Sequence, residues 1–480
     1  MLEARVHDQL KALLRREGAE RWPHHLSLSR LAARSLRRAD HTLVRLVPGT
    51  DPSWLISLLV PLALSDAPLA VVVSPSLRRR LLQVELPRLV AADRSLALPC
   101  VEGEEPGGAR VWLLDHRQLV RAWQQGRLGE RQLVIPEAEQ LEQSLRQALE
   151  IRIEPQHWDQ LRRAQPQAEA SLIALHSRLS RRVLRHPRSA DGRVPLALED
   201  EAPLRQLLGL LGGLPEPWPR WLASGHDAWT SWARRDQRLL HWTLHRQPLE
   251  PLQELSGLLL QRGAVVLGQL GPGSHPAASL GLRPDVCVEL GDPPLADPLP
   301  LYAPLRQPLP NSPLFPQHLL EQARRLVLGQ TGLSVVLSDD DDLRLDLTSN
   351  LAAEFGSRVV HESTAPESNG VISCRWSWWL EHQGQLPLPC QLVVAELPIA
   401  SLEDPLTAAQ VQRLRREGRD WFRERLLPDG LTRLQLAVAG LRRSGGRLAV
   451  LDGRLRGRSW GRQVLQALEP WLQLNRLLPH

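Results

Sequence analysis

The sequence almost lacks lysine: of its 59 basic residues, only Lys11 is a lysine and the other 58 are arginines. A Walker A loop needs the lysine of G-K-[ST] to reach the β- and γ-phosphates of a nucleotide. That tripeptide occurs nowhere in the 480 residues. The shortage therefore excludes a standard Walker A loop and restricts Schiff-base or lysine general-base chemistry to Lys11. GC-rich coding would produce the same preference for arginine.

Cysteine is also scarce, with single residues at 100, 287, 374 and 390. No two form a C-x-x-C pair, and no histidine lies at zinc-finger spacing from two of them. The sequence therefore predicts neither a metal site nor a disulfide framework. Isolated thiols are typical of a reducing compartment, so we expect a cytoplasmic protein.

Long apolar runs are absent too. The most apolar run, Trp54–Leu64, contains Pro61 and is shorter than the roughly 20 residues that a membrane-spanning helix needs. The opening residues, Met1–Glu20, are charged throughout and predict an amphipathic helix rather than a signal peptide. We expect a soluble protein that does not use a membrane as partner.

Positive charge is concentrated at one end of the chain. Residues 411–480 contain 15 arginines against 6 acidic residues, although the whole chain carries only +6. This asymmetry favours a C-terminal surface that faces a polyanion. Arginine used as ordinary solvated surface is the alternative.

Short β-branched runs alternate with longer, leucine- and arginine-rich helical patterns, which indicates an α/β protein. Most of the runs are continuously apolar, as expected for strands buried on both faces of a parallel sheet. The predicted strands are His41–Val47, Leu69–Ser74, Arg110–Leu114, Gln132–Ile135, Ala264–Gly268, Leu333–Ser338, Gly370–Cys374, Gln391–Glu396 and Gly446–Asp452. Strand patterns vanish between about 150 and 260, and the proline-rich residues 291–316 form a candidate linker.

Four passages near the C-terminus carry a family resemblance. They are Gln391–Ala400 with Glu403–Leu406, Trp421–Gly430, Arg433–Ser444, and Val450–Leu455 with Trp460–Arg462. In order and in sequence, they resemble the corresponding passages of the DinG-type, XPD-like helicases of superfamily 2, with Arg433–Ser444 at motif VI. The match is continuous over roughly the last ninety residues, which is more specific than an isolated motif.

The N-terminal half follows the same family order. Val47–Pro61 lies at the position of the Walker A loop, Val71–Leu77 at motif Ia, Leu114–Leu119 at the N-H motif and Leu133–Glu142 at Walker B. The resemblance implies two RecA-like domains with parallel sheets and a helical, arch-like insertion in the first. The implied boundaries are 1–149 and 261–300 for the first domain, 150–260 for the insertion and 301–480 for the second domain.

The resemblance also shows what the nucleotide-binding motifs have lost. At Walker A, Gly49 and Thr50 remain as candidate nucleotide-binding residues, but Ser53, Trp54 and Leu55 stand at G-K-[ST]. A tryptophan cannot neutralise phosphates and a leucine cannot ligate Mg²⁺, and phosphoryl transfer depends on both.

The catalytic motifs are similarly reduced. At Walker B, Pro136 replaces the Mg²⁺-binding aspartate, while Glu137 matches the water-activating glutamate. At motif VI, Gly440 stands at the arginine finger and Arg443 matches the second arginine; motif III reads Gly268–Leu270. Glu137 and Arg443 are thus the candidate catalytic remnants. Motif V retains only its tryptophan.

We therefore expect a nucleic-acid-binding pseudo-helicase that needs no cofactor and whose partner is single-stranded or junction DNA. An active DNA helicase using ATP and Mg²⁺ is one alternative, and an interaction scaffold without nucleic-acid binding is another; a protein partner is not specified. Many relatives carry an Fe–S cluster between motifs Ia and II, but that interval contains only Cys100, so no cluster is expected. The candidate nucleic-acid-binding residues are Arg442, Arg454, Arg456, Arg458 and Trp379. A core position is the alternative for the tryptophan.

Overall fold

The computed structural model describes most of the chain. The described residues are 2–17, 22–50, 52–187, 192–225, 227–236, 241–270, 280, 282–291, 297–328 and 331–475. Asp51 of the Walker A passage and residues 292–296 of the candidate linker lie outside them.

All the strands predicted from the sequence are confirmed, and the structure adds others, of which Trp229–Arg235 and Trp242–Pro248 are seven residues long. The strands are β1 His41–Leu46, β2 Leu69–Val72, β3 Cys100–Val101, β4 Val111–Leu114, β5 Gln132–Ile135, β6 Ile151–Ile153, β7 Arg193–Pro195, β8 Trp229–Arg235, β9 Trp242–Pro248, β10 Ala264–Gln269, β11 Val286–Leu290, β12 Leu299–Tyr302, β13 Ser334–Leu337, β14 Val359–His361, β15 Val371–Cys374, β16 Gln391–Val394, β17 Arg447–Val450 and β18 Trp471–Leu474.

Two parallel sheets organise most of these strands. Within the described residues, the first sheet has seven strands in the order β11-β1-β10-β5-β2-β4-β3, and the second has seven in the order β14-β15-β13-β16-β17-β12-β18. Every neighbouring pair in both sheets is parallel. Strands such as β2 and β4 are buried along their whole length, which explains their continuous apolar sequences. The predicted α/β class with two RecA-like parallel sheets is confirmed.

The helices connect these strands. They are α1 Leu2–Glu17, α2 His25–Arg38, α3 Leu55–Leu64, α4 Pro75–Arg80, α5 Leu86–Ala92, α6 His116–Gln124, α7 Ala138–Leu149, α8 Pro155–Ala164, α9 Glu169–Arg185, α10 Leu198–Leu210, α11 Trp218–Ala223, α12 Ser256–Gln261, α13 Phe315–Leu328, α14 Asp341–Phe355, α15 Trp376–His382, α16 Pro405–Arg416, α17 Leu427–Ser444, α18 Arg454–Gly457 and α19 Gly461–Ala467. Asp115, Asp340 and Asp404 cap α6, α14 and α16 by accepting backbone N–H bonds. Among the described residues, no helix has the length and apolar character to cross a membrane.

The chain forms two compact units. Unit 1 comprises Met1–Glu139, Ser256–Ile399 and Arg425–His480 and contains both parallel sheets; unit 2 comprises Gln140–Leu255 and Ala400–Glu424. Unit 2 thus includes a distant segment, 400–424, that the boundaries implied by the family resemblance do not anticipate.

Unit 2 also corrects the prediction of a wholly helical insertion. It contains an antiparallel sheet in the order β6-β9-β8-β7. Strand β9 alternates between buried and half-buried positions, as a strand with one covered face should. One of its buried positions is Arg246, whose charge is balanced by Glu201 at 3.1 Å. Because a buried arginine is read as polar, the alternation does not appear in the hydropathy pattern.

Candidate nucleotide site

The loops that follow β1, β2, β5 and β10 lie at the carboxyl edge of the first sheet, where ligands of open α/β sheets bind. They carry the Walker A, motif Ia, Walker B and motif III positions, in that order along the chain. Hydrogen bonds between these loops bring Gly49, Ser74, Glu137, Glu139 and Gln269 into one region. The structure therefore assembles the motif positions as the family order implies.

The loop at the Walker A position is a tight turn held by its own atoms. The hydroxyl of Thr50 donates to the Val47 carbonyl at 2.6 Å, and the backbone N–H of Thr50 donates to the same oxygen at 3.0 Å. Thr50 is buried. Gly49 has a φ of 96°, a conformation that side chains with a Cβ rarely adopt. Both predicted nucleotide-binding residues thus have roles in shaping the turn.

The two residues at the lysine and Mg²⁺-ligand positions face the interior of the protein. Trp54 is 6% exposed and Leu55 is 3% exposed, and both belong to the hydrophobic core beside the first sheet. Removing such side chains from a core is costly because the lost apolar contacts leave a cavity. The positions that bind phosphate and metal in a working Walker A loop therefore stabilise the fold here.

The side chain of Gln269 bonds to a backbone N–H group of this loop. Its Oε1 accepts a hydrogen bond from the backbone N–H of Gly49 at 2.7 Å. Its own backbone N–H donates to Oε2 of Glu139 at 3.0 Å. A Cβ built on the preceding residue, Gly268, would lie only 2.8 Å from the Cβ of Ala138, so glycine is needed where β10 meets the start of α7. Motif III is thus packed directly against Walker B.

The Walker B glutamate is also engaged within the protein. Oε2 of Glu137 accepts the backbone N–H of Ser74 at 2.8 Å, and Oε1 accepts the Ser74 hydroxyl at 3.0 Å. The Ser74 hydroxyl in turn caps α4 by accepting the N–H of Leu77 at 3.2 Å. Glu137 therefore ties the end of β5 to the loop after β2.

Burial raises the pKa of both glutamates at this site. Burial raises the pKa of Glu137, opposed by its hydrogen bonds from Ser74. Burial and the neighbouring charge of Glu137 raise the pKa of Glu139 to about 8. A carboxyl group that binds Mg²⁺ must be ionised. These shifts thus disfavour the ionised state that a metal ligand requires.

Arg443 reaches this loop from the second sheet. It lies in the last turn of α17, and its Nη1 donates to the Gly49 carbonyl at 3.0 Å. Ala439, one turn earlier, is also close: a Cβ built on Gly49 would lie 3.3 Å from the Ala439 Cβ. The structure therefore brings the motif VI and Walker A positions into contact, with a backbone carbonyl where a phosphate would be bound.

These residues do not fit ATP and Mg²⁺. The phosphate- and metal-binding positions contain Trp54 and Leu55, the N–H of Gly49 is already bonded, and Glu137 bonds to Ser74. Among the described residues, no cluster of three or more histidine, cysteine, aspartate or glutamate side chains could hold a metal ion. The polar groups of these loops are instead hydrogen-bonded to one another.

Most of the predicted nucleic-acid-binding arginines bond to protein atoms. Arg442 donates to the carbonyls of residues 468–470, which closes the turn before β18. Arg454 pairs with the fully buried Asp452 at 2.7 Å, and Arg456 bonds to the Ala303 carbonyl and to Gln473. Arg458 is exposed, and its side chain makes no hydrogen bond or ion pair within the described part of the chain.

Trp379 lies in the core of the second sheet. It is 0% exposed, and its indole N–H donates to the Ala437 carbonyl at 3.2 Å. Neither face of the ring is open to a base. The core position considered as the alternative from the sequence therefore describes this residue.

No protein-family model and no curated protein matches this sequence. The fold is nevertheless similar to those of solved XPD structures. An apo XPD structure has a TM-score of 0.61 at 12% identity, covering 93% of this chain and 100% of the other. S. tokodaii Xpd4 has a TM-score of 0.58 at 12% identity, covering 92% and 97%. An XPD helicase structure has a TM-score of 0.60 at 13% identity, covering 94% and 99%. At this identity the likeness is one of fold.

Sequence reasoning missed Gln269 and Ala439 as members of the site. In the sequence, Gln269 belongs only to the motif III range Gly268–Leu270, and Ala439 only to the motif VI passage Arg433–Ser444. The signal for Gln269 is its long polar side chain at the end of a strand, next to the loop at the Walker A position. The small size of Ala439 becomes meaningful only when its distance to Gly49 is known.

Proposed function

We propose that this protein binds nucleic acid through a helicase fold that no longer uses ATP. The main support for this proposal is the hydrogen bond from the Gly49 N–H to Gln269, together with the burial of Trp54 at the position of the Walker A lysine. A nucleotide would have to displace the glutamine and would meet a buried tryptophan at the position of the Walker A lysine. Binding of the nucleic-acid backbone needs neither, because it depends on arginine charge and counterion release.

The second sheet of unit 1 offers exposed arginines for such binding. Arg458 and Arg462 flank the start of α19, and neither side chain makes a hydrogen bond or ion pair with a described residue. Their charges are therefore available to phosphates, in contrast to that of Arg454, which is neutralised by Asp452.

Unit 2 offers a second basic face, on α9. Arg178, Arg181 and Arg185 are three and four residues apart, which places them on one side of the helix. All three are exposed and have no ionic partner among the residues described. Arg182, on the same helix, lies 3.6 Å from Asp200. The opposite side of the helix is buried through residues such as Leu179.

Nucleotide affinity tests the loss of ATP use. Titration calorimetry of the full chain with Mg-ATP should give no saturable heat at millimolar nucleotide. Saturable binding that requires Mg²⁺ would overturn this part of the proposal and favour the active helicase. In that case Glu137→Gln should abolish ATP hydrolysis.

The salt dependence of oligonucleotide binding tests the nucleic-acid function. A fluorescent single strand should bind at low salt, and the R178Q/R181Q/R185Q variant should reduce the slope of log K against log salt by about 2, as expected for three lost phosphate contacts. Arg458→Gln with Arg462→Gln provides the matching test in unit 1.

Arg182→Gln is the matched control, because it removes an arginine from the same helix that already has an acidic partner. Its slope should stay near that of the wild type. Absence of binding at low salt would contradict the nucleic-acid function and favour the interaction scaffold.

A further inference from the structure

We infer that hydrogen bonds through Gln269, Gly49 and Arg443 fasten the two parallel sheets of unit 1 to each other in place of a bound nucleotide. This set of contacts is called the latch below. This inference rests on the proposed function. If the protein does not bind ATP, its own groups must connect the two sheets, and the latch identifies those groups.

The first part of the latch belongs to the first sheet. Gln269 ends β10 and is fixed by its own backbone N–H, which donates to Glu139 at the start of α7. This bond holds the glutamine side chain so that its Oε1 meets the Gly49 N–H at 2.7 Å. The loop after β1 is therefore positioned from inside the sheet, with no ligand required.

The second part comes from the second sheet. Helix α17 packs on that sheet through Leu434, Val438 and Leu441, so its last turn is rigidly placed. Arg443 extends from that turn to donate to the Gly49 carbonyl at 3.0 Å. Both polar backbone groups of one residue, Gly49, are thus satisfied from two different sheets.

Close packing accompanies these bonds. A Cβ on Gly49 would lie 3.3 Å from the Cβ and 3.6 Å from the Cα of Ala439, so the two backbones approach as closely as a glycine and an alanine allow. Nearby, Nη1 of Arg79 in α4 donates to Oε1 of Gln385, which follows α15, at 3.3 Å. The two sheets therefore share several direct contacts around the emptied site.

The consequence is that their arrangement does not depend on a nucleotide. A bond from a charged donor to a backbone carbonyl is stronger than one between neutral groups. Breaking it by removing Arg443 leaves the Gly49 carbonyl to water and frees the turn. A ligand shifts a conformational equilibrium only by its differential affinity for the two states. A chain that holds one state by its own bonds needs no such ligand.

Hydrogen–deuterium exchange of the full chain tests the latch. Arg443→Ala should accelerate exchange of the amides at 47–50 by roughly tenfold, as expected for the loss of one charged hydrogen bond. Gln269→Ala should accelerate the Gly49 amide by a similar factor. Arg442→Ala is the matched control, because the side chain of this neighbouring arginine bonds to the carbonyls at 468–470 instead of to Gly49. It should change exchange there and leave 47–50 as in the wild type.

Exchange at 47–50 that is equal in Arg443→Ala and wild type would overturn the latch. Protection within β1 and β10 shows whether each variant is folded, and Arg443→Lys, which keeps a donor, should restore part of the protection at 47–50. A different result would contradict the proposed loss of ATP use: protection of 47–50 by Mg-ATP in the wild-type protein. The two failures are therefore distinguishable in one experiment.

Discussion

The buried charge cluster of unit 2 gives a sharp prediction for the variant Glu201→Gln. Arg246 is 1% exposed and Glu201 is 3% exposed, and their side chains meet at 3.1 Å. The same carboxylate oxygen lies 3.3 Å from Nε of the buried Arg205. One carboxylate thus balances two guanidinium groups, and the glutamine would leave both positive charges without a counter-charge.

The size of the effect follows from these contacts. Removing one partner of a buried ion pair costs about 3–5 kcal/mol, because the other charge stays buried and unbalanced. Arg246 would keep its bonds to Ser224 at 2.6 Å, Ser231 at 2.8 Å and the Gly225 carbonyl at 2.9 Å. Glutamine also keeps one oxygen acceptor. We therefore expect a loss of about 3 kcal/mol, at the lower end of the range.

Urea unfolding followed by tryptophan fluorescence measures this loss. Trp221, one of the 16 tryptophans, contributes part of this signal from beside the cluster, because its ring centre lies 4.1 Å from the guanidinium of Arg205. Glu199→Gln, on the same helix but exposed, is the control and should change stability by less than about 0.5 kcal/mol. A Glu201→Gln variant within 1 kcal/mol of the wild type, roughly a fivefold change in the unfolding equilibrium, would refute the reasoning.

Three further predictions concern the site in unit 1. Trp54→Lys, which restores the lysine of the Walker A position, should cost at least about 3 kcal/mol in urea unfolding, because it removes a core tryptophan, and should give no ATP hydrolysis. Gly49→Ala should destabilise the protein by about 1–3 kcal/mol and by more than Gly445→Ala; both have positive φ, but only at Gly49 would the new methyl meet a neighbour. Equal losses in the two variants would contradict the contact with Ala439. Glu139→Gln should raise the melting temperature at pH 8.5 and have little effect at pH 4.5: burial raises the folded pKa to about 8, so stability falls as pH rises from the ordinary value of 4.5 towards 8. A pH-independent effect would show that Glu139 stays ionised.

Nine of the fourteen strands described in the two parallel sheets could be predicted, because their sequences are mostly continuous apolar runs. Strand β9 could not, since its inward positions include Arg246, whose charge is balanced by Glu201, 45 residues earlier in the chain. The same limit applies to the site. The order of the motif positions is predictable, but the bond from Gly49 to Gln269 joins residues 220 positions apart and depends on β1 and β10 being neighbours.

The arginine composition does not show which arginines are available to bind nucleic acid. The excess at the C-terminal end suggested a continuous basic surface, yet the side chains of Arg442, Arg454 and Arg456 bond to carbonyls, Asp452 and Gln473. Counting charges cannot separate these uses, because a guanidinium has five N–H donors that serve a backbone carbonyl as well as a phosphate. A nucleic-acid surface at this end stays a prediction, now centred on the exposed Arg458.

Under the proposed function, the losses at the nucleotide motifs are physically linked to one another. Once a lysine no longer approaches phosphates, its position gains most by joining the core, as Trp54 does. The backbone N–H of Gly49 then needs a new acceptor, because an unsatisfied buried donor costs about 1–3 kcal/mol, and Gln269 supplies one. With the phosphate position closed in this way, an arginine finger would have no phosphate to contact. A small residue such as Ala439 then allows the second sheet to pack against Gly49. Restoring any single residue should therefore not restore ATP binding, because each of the others now stabilises the closed arrangement.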